Sequence, residues 1–263
     1  MHVLESFSLA GKTALVTGGA GLYGRQIVEA LAEAGARTFM ASRNVEKLQA
    51  YADELAERNL QAEVLELDLA DQNSIDQCVE QLIAAAGKVD ILINNAGNRC
   101  GCRSWDLSLD EFDESFRMNS SSLFYLTRKI SDIMRQQGCG GSIVNIASYM
   151  GLLGPNPHNY PDPEAIYKMS PAYFYEKGGM INFTRFAASV LGRDNIRVNC
   201  LCPGGLLDAS MSGEFIKNYS ANTMLGRLAE QSDLKGPIVF LASEASSYLT
   251  GAVIPVDGGY VAK

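Results

Sequence analysis

The sequence has no run of about eighteen apolar residues, so no helix of it is expected to cross a membrane. It is also short of positive charge: 30 Asp and Glu face 22 Lys and Arg, a formal net charge of -8. An acidic surface repels phosphate backbones, which argues against a nucleic-acid partner. Charged residues make up only 20% and apolar residues 47%. That balance excludes disorder and is enough to fill a sizeable core. The first ten residues mix Glu5 and Ser6 with apolar side chains and show neither a basic n-region nor an apolar h-region. No targeting segment is therefore expected, and the reading is cytoplasmic. Cysteine is sparse, six in 263 residues, and without a secretory signal these are expected to be free thiols. Cys100-Gly-Cys102 has the look of half a metal site, yet no second Cys/His pair with ligand spacing accompanies it. No metal is expected.

What the sequence does have is alternation. Short apolar, β-rich runs occur at Thr13–Thr17, Arg37–Ala41, Ala62–Leu67, Val89–Asn94, Ser142–Ala147, Arg197–Leu201 and Val253–Val256. Each is bounded by Gly, Asp or Pro, as expected of strands buried on both faces of a parallel sheet. Helical stretches lie between them. Met180–Leu191, for example, puts Met180, Phe183, Ala187, Val190 and Leu191 on one face. Strand–helix alternation predicts one doubly wound α/β domain over 1–263, with helices on both faces of about seven strands. One stretch breaks the rhythm. Five of the eight prolines fall in 153–171, which is expected to be a loop beside the ligand edge of the sheet.

Strand one runs into Thr17-Gly-Gly-Ala-Gly-Leu-Tyr-Gly24, a Gly-rich turn opening a helix. Such a turn lets backbone amides approach a pyrophosphate at a helix N-terminus. Tyr173-Phe-Tyr-Glu-Lys177 places a phenol and an ammonium at i and i+4, on one helix face. A free phenol is a poor base at neutral pH, and a neighbouring ammonium favours its phenolate form. Further motifs follow in order: Asn94-Asn95-Ala96-Gly97, Ser148 ending a strand, Pro203-Gly204, and Val256-Asp257-Gly258-Gly259.

In these motifs, over essentially its whole length, the chain resembles the short-chain dehydrogenase/reductase family, with its Rossmann-type sheet. The resemblance implies a reversible hydride transfer between a nicotinamide cofactor and a hydroxyl or carbonyl carbon. Tyr173 is then the acid/base, Ser148 orients the reacting oxygen, Asn119 holds a relay water, and Lys177 assists Tyr173 and binds the nicotinamide ribose. The implied cofactor contacts begin with Gly18, Gly21, Leu22, Tyr23 and Gly24; Leu22 stands where the family has a glycine. They continue with Ser42 and Arg43 after the second strand, Asp68 and Leu69 near the adenine, and Asn95, Ala96 and Gly97. The loop after strand six adds Pro203, Gly204 and Leu206. Arg43, with no acidic residue at Ser42, favours NADP over NAD.

The 25 positions from Ser148 to Tyr173 exceed the family norm, and the excess is the Pro-rich stretch. Asp208 replaces a Thr common in the family, and 208–228 is expected to form a flexible substrate lid. Arg99 and Arg103 are candidates to grip an anion, and His158, Asn156 and Asn159 to contact a polyhydroxyl compound. Tyr167 and Tyr175 are read as packing or pocket residues. The overall style is similar to bacterial members acting on sugars, polyols and sugar acids, gluconate 5-dehydrogenases among them. A ketoacyl or ketosteroid reductase is the alternative, and a silent nucleotide-sensing regulator a further one. The family resemblance also implies a homotetramer.

Overall fold

The computed structural model describes residues 2–97 and 104–262. Seven strands form one sheet: β1 (Thr13–Thr17), β2 (Arg37–Ser42), β3 (Ala62–Glu66), β4 (Ile91–Asn94), β5 (Gly141–Ile146), β6 (Ile196–Pro203) and β7 (Val253–Val256). Their spatial order is β3-β2-β1-β4-β5-β6-β7 and every pairing is parallel. The helices are α1 (Leu22–Glu33), α2 (Val45–Ala56), α3 (Gln72–Ala86), α4 (Leu109–Phe116), α5 (Ser122–Gln137), α6 (Pro171–Leu191), α7 (Gly213–Asn222) and α8 (Lys235–Ala242). A π-turn, Arg117–Ser121, joins α4 to α5.

The pleat sends successive residues to opposite faces, which explains why the strands read as continuous apolar runs. Ala14 and Val16 of β1 join a core with Ile27 and Leu31 of α1, Leu48 and Leu55 of α2, and Ile238 and Leu241 of α8. Leu15, between them, joins the opposite core with Ile75 and Leu82 of α3, Ile130 of α5 and Leu191 of α6. The chain order reverses between β1 and β4, and a ligand crevice opens at such a switch point.

Several boundaries differ from the sequence reading. Val89 is not in β4, because its amide bonds the Gln137 side chain (2.9 Å) rather than a neighbouring strand. β6 runs on to Pro203, which pairs with Val256. Pro171 is not loop but the first residue of α6, a position where a missing N–H costs nothing. Val190 is 46% exposed instead of facing the core. The Pro-rich stretch holds two short 3-10 turns, Pro157–Asn159 and Pro163–Ala165.

Gln26 on α1 is 4% exposed, and neither atom of its amide has a hydrogen-bond partner among the described residues. Gln26→Met removes both unpaired groups at nearly constant shape. It is expected to raise unfolding free energy by about 1–2 kcal/mol, read as a higher urea midpoint at unchanged slope. An unchanged midpoint would mean that water already satisfies the amide.

Candidate active site

The carboxyl ends of β1 and β4 are latched together. The Thr17 hydroxyl accepts the amides of Asn95 (3.1 Å) and Ala96 (3.0 Å). The Asn95 side-chain amide donates to the carbonyls of Thr17 (2.9 Å) and Gly18 (3.1 Å). Gly18 has φ +67°, which turns the chain out of β1, and the Gly21 amide closes the turn onto Gly18 O at 3.0 Å. α1 starts one residue later with no side chain capping it, so its first amides are left for a ligand. A Cβ on Gly24 would lie 2.1 Å from Gly18 O, so the helix and turn touch backbone to backbone. This is a cradle that suits a pyrophosphate, and Leu22 does not fill it, its side chain being 64% exposed.

The other predicted cofactor residues ring the same edge. Tyr23 reaches across to the Pro203-Gly204 corner, its hydroxyl donating to Gly204 O at 2.7 Å. Burial pushes that phenol well above its ordinary range. Asp68 follows β3, accepting the Ala70 amide at 2.9 Å, and Leu69 packs on the core that contains Leu126. Thr17, Leu69, Ala96 and Asn119 line one cleft. Ser42 ends β2 and Arg43 follows it, exposed. Leu206 is buried and bridges to Ala229 through its backbone. Asp208 instead binds Ser210, whose amide (2.9 Å) and hydroxyl hold its carboxylate below the usual range.

The catalytic candidates come from three elements. Ser148 follows β5, is 6% exposed, and caps the 3-10 turn Tyr149–Gly151 by accepting the Met150 amide (3.1 Å). That turn lies hard against α6: a Cβ on Gly151 would sit 2.7 Å from the Lys177 carbonyl oxygen. Lys177 is 7% exposed, and its ammonium donates to Ile146 O at 2.9 Å. Its Nζ lies 5.9 Å from the centre of the half-buried Tyr173 ring. It also stands 3.8 Å from where a Gly97 Cβ would be, so Gly97 leaves open space beside the ammonium. Asn119 sits on the π-turn, 3.4 Å from Ser115 Oγ.

A family model described as enoyl-(acyl carrier protein) reductase matches residues 21–261. A 2-dehydro-3-deoxy-D-gluconate 5-dehydrogenase of Dickeya dadantii (strain 3937) is 31% identical over 270 residues, covering 99% of this chain and 100% of that one. The chain belongs to the short-chain dehydrogenase/reductase family. As a member it is an NAD(P)-dependent oxidoreductase acting on alcohol and carbonyl groups. A tropinone reductase homolog of Arabidopsis thaliana is 34% identical, over 99% of this chain and 96% of that protein. Among solved structures, a gluconate 5-dehydrogenase from Burkholderia cenocepacia J2315, in complex with NADP and tartrate, superposes with a TM-score of 0.87. It is 27% identical, and each chain is covered in full.

Not every expected residue joins the site. Arg99 and Arg103, with Cys100 and Cys102, lie outside the described residues. Cys78, Cys139, Cys200 and Cys202 are free thiols. Among the described residues no His, Cys, Asp and Glu cluster could hold a metal, and no helix is long and apolar enough to cross a membrane. His158 is exposed, whereas its neighbour Asn159 is fully buried, donating to Tyr260 Oη (2.7 Å) and accepting from Asn222 (3.0 Å). Tyr175, at 69% exposure, meets Phe112 edge-on, and Tyr167 is 60% exposed.

Three features were not read from the sequence. Tyr149, Tyr219 and Tyr260 form one aromatic cluster, with Tyr219 Oη accepting the Gly205 amide at 2.7 Å. Tyr23 spans two cofactor motifs. Glu176 is a buried carboxyl one residue before Lys177. None of the three has a local signal, since each depends on a partner far along the chain.

Proposed function

We propose that this oxidoreductase interconverts a secondary alcohol and a carbonyl on a sugar, polyol or sugar acid, with NADP as the preferred cofactor. The observation that carries it is the convergence on one sheet edge of Ser148, Tyr173 and Lys177 with an uncapped, glycine-lined helix N-terminus. The cofactor, when bound, supplies or takes the hydride; the chain's own residues handle the proton. Tyr173 exchanges that proton with the substrate oxygen, and the Ser148 hydroxyl donates to the same oxygen and steadies its developing charge. Lys177, held by the Ile146 carbonyl, keeps positive charge beside the phenol and presents donors to the ribose hydroxyls. Asn119 holds the water through which the proton leaves. The cradle around Gly18, Gly21 and Gly24 receives the pyrophosphate, and Asn95, Ala96, Gly97, Pro203 and Gly204 border the nicotinamide half. The segment 153–171 walls the substrate side, with polar Asn156 and His158 available to hydroxyl groups, and 208–228 covers it.

The sugar-type substrate is supported by full-length similarity to the two gluconate-type dehydrogenases named above. Assembly into a homotetramer is supported by exposed Phe124, Phe186 and Val190 on α5 and α6. Nicotinamide absorbance, followed with both cofactors against aldoses, polyols, sugar acids and acyl or steroid carbonyls, tests the reading. Turnover confined to the apolar carbonyls would defeat it. Arg43 stands exposed beyond β2, which supports a role for it at the 2′-phosphate of NADP. Arg43→Ala is therefore expected to raise KM for NADP by about ten- to a hundredfold and to leave KM for NAD nearly unchanged. Equal effects on both cofactors would remove Arg43 from the selection.

A further inference from the structure

We propose that Glu176 is a positioning residue of this enzyme: from the buried side of α6 it holds, together with Ser115, the π-turn that carries Asn119. The inference rests on the reading of Asn119 as part of the catalytic centre. Glu176 is 5% exposed. It precedes Lys177 by one residue, so its side chain leaves the helix about 100° away from the ammonium. It meets α4 and the π-turn instead. The Ser115 hydroxyl donates to Glu176 Oε1 at 2.7 Å. The Asn119 amide donates to the same carboxyl and lies 3.4 Å from Ser115 Oγ. Three polar side chains therefore close one small network between the catalytic helix and the helix break.

An apolar residue would pack α6 against α4 more cheaply, since a buried carboxyl gives up its hydration. α4 and α6 already have an aromatic contact for that purpose, Phe112 edge-on to Tyr175 with ring centres 5.5 Å apart. The carboxyl adds direction. It accepts from donors at fixed places, and one of them is Asn119. A π-turn is a rare, poorly bonded geometry that recurs where function requires it. Here the Ser122 amide reaches back to Arg117 O across the turn. Glu176 keeps the Asn119 side chain drawn toward α6 and so fixes the register of that turn beside Lys177.

The test uses the intact protein and the variants Glu176→Met, Glu176→Gln, Asn119→Ala and Glu176→Met/Asn119→Ala. Hydrogen exchange at residues 117–121 is read first, because it needs no substrate. Exchange there is expected to speed up in Glu176→Met and to stay near wild type in Glu176→Gln, which keeps an acceptor. Unchanged exchange in Glu176→Met overturns the proposal. With any substrate the wild type turns over, Glu176→Met is expected to lower kcat roughly tenfold, with cofactor KM within about twofold. Glu176→Gln should recover most of that loss. In the Asn119→Ala background the further loss from Glu176→Met should fall below about twofold, the mark of action through Asn119. Losses that multiply in the double variant overturn the proposal even if exchange has changed. If Glu176→Met does not fold, Ser115→Ala takes its place in the same cycle. If the wild type turns over no substrate, the catalytic reading has failed, and exchange alone decides the role of Glu176.

Discussion

Tyr173→Phe is expected to lower kcat by about three orders of magnitude while leaving cofactor affinity within about twofold, because general acid–base catalysis is worth about 10²–10⁴. The substitution removes one oxygen and keeps the ring. That ring stands edge-on to Phe174, with centroids 6.0 Å apart, and the variant keeps this contact. Lys177 is anchored independently, on the Ile146 carbonyl, so the ammonium stays in place when the hydroxyl goes. The residual rate comes from positioning and from Ser148. Steady-state kinetics give kcat, and quenching of protein fluorescence by the reduced cofactor gives Kd. Full turnover in the variant would move the acid/base elsewhere. The phenols nearby are poor substitutes: Tyr149 is buried and its hydroxyl is pushed far above neutrality, and Tyr175 faces outward at 69% exposure.

The second large effect is expected at Gly24, where one methyl group would break the cofactor cradle. Its Cβ would lie 2.1 Å from Gly18 O and 2.9 Å from Gly19 C and O. All three are backbone atoms, so no side chain can swing aside. Either α1 backs away from the turn or the turn is pushed outward. Overpacking of this kind costs about 1–3 kcal/mol, and both escapes spoil the spacing between Gly18, Gly21 and the first amides of α1. Gly24→Ala should therefore melt several degrees lower and raise the cofactor Kd by more than about tenfold, since a shift of 1.4 kcal/mol is already tenfold. A calorimetric scan with and without cofactor reads both effects. A variant with unaltered melting and unaltered cofactor shift would show that the contact relaxes, and would weaken the assignment of this turn.

The centre of the sheet was legible because β1, β4, β5 and β6 are buried nearly throughout, which leaves continuous apolar runs that a scan for periodicity can find; the outer strands β3 and β7 keep exposed positions and read less cleanly. Edges were less legible. Val89 looks like the start of β4, but its amide finds a partner on α5, 48 residues away in sequence. Pro171 looks like loop, since a proline inside a Pro-rich stretch gives no sign that a helix has begun. Tyr173 and Lys177 were visible because their relation is local, four residues on one helix. Glu176 lies between them in the same motif, yet its meaning depends on Ser115, 61 residues earlier. A single sequence carries no trace of such a pairing. The π-turn at Asn119 was hidden for the same reason: its residues suit an ordinary helix, and only packing against α6 gives the turn its use.

Asn159 carries a consequence for anyone reshaping this protein. Its one amide joins the Pro-rich segment to Asn222 at the end of α7 and to Tyr260 beyond β7. The Pro-rich segment is therefore not a free-standing cassette. Grafted into a relative without Asn222 and Tyr260, it would arrive without its moorings. Library design around the pocket must treat these three stretches, distant in the gene, as one inherited block.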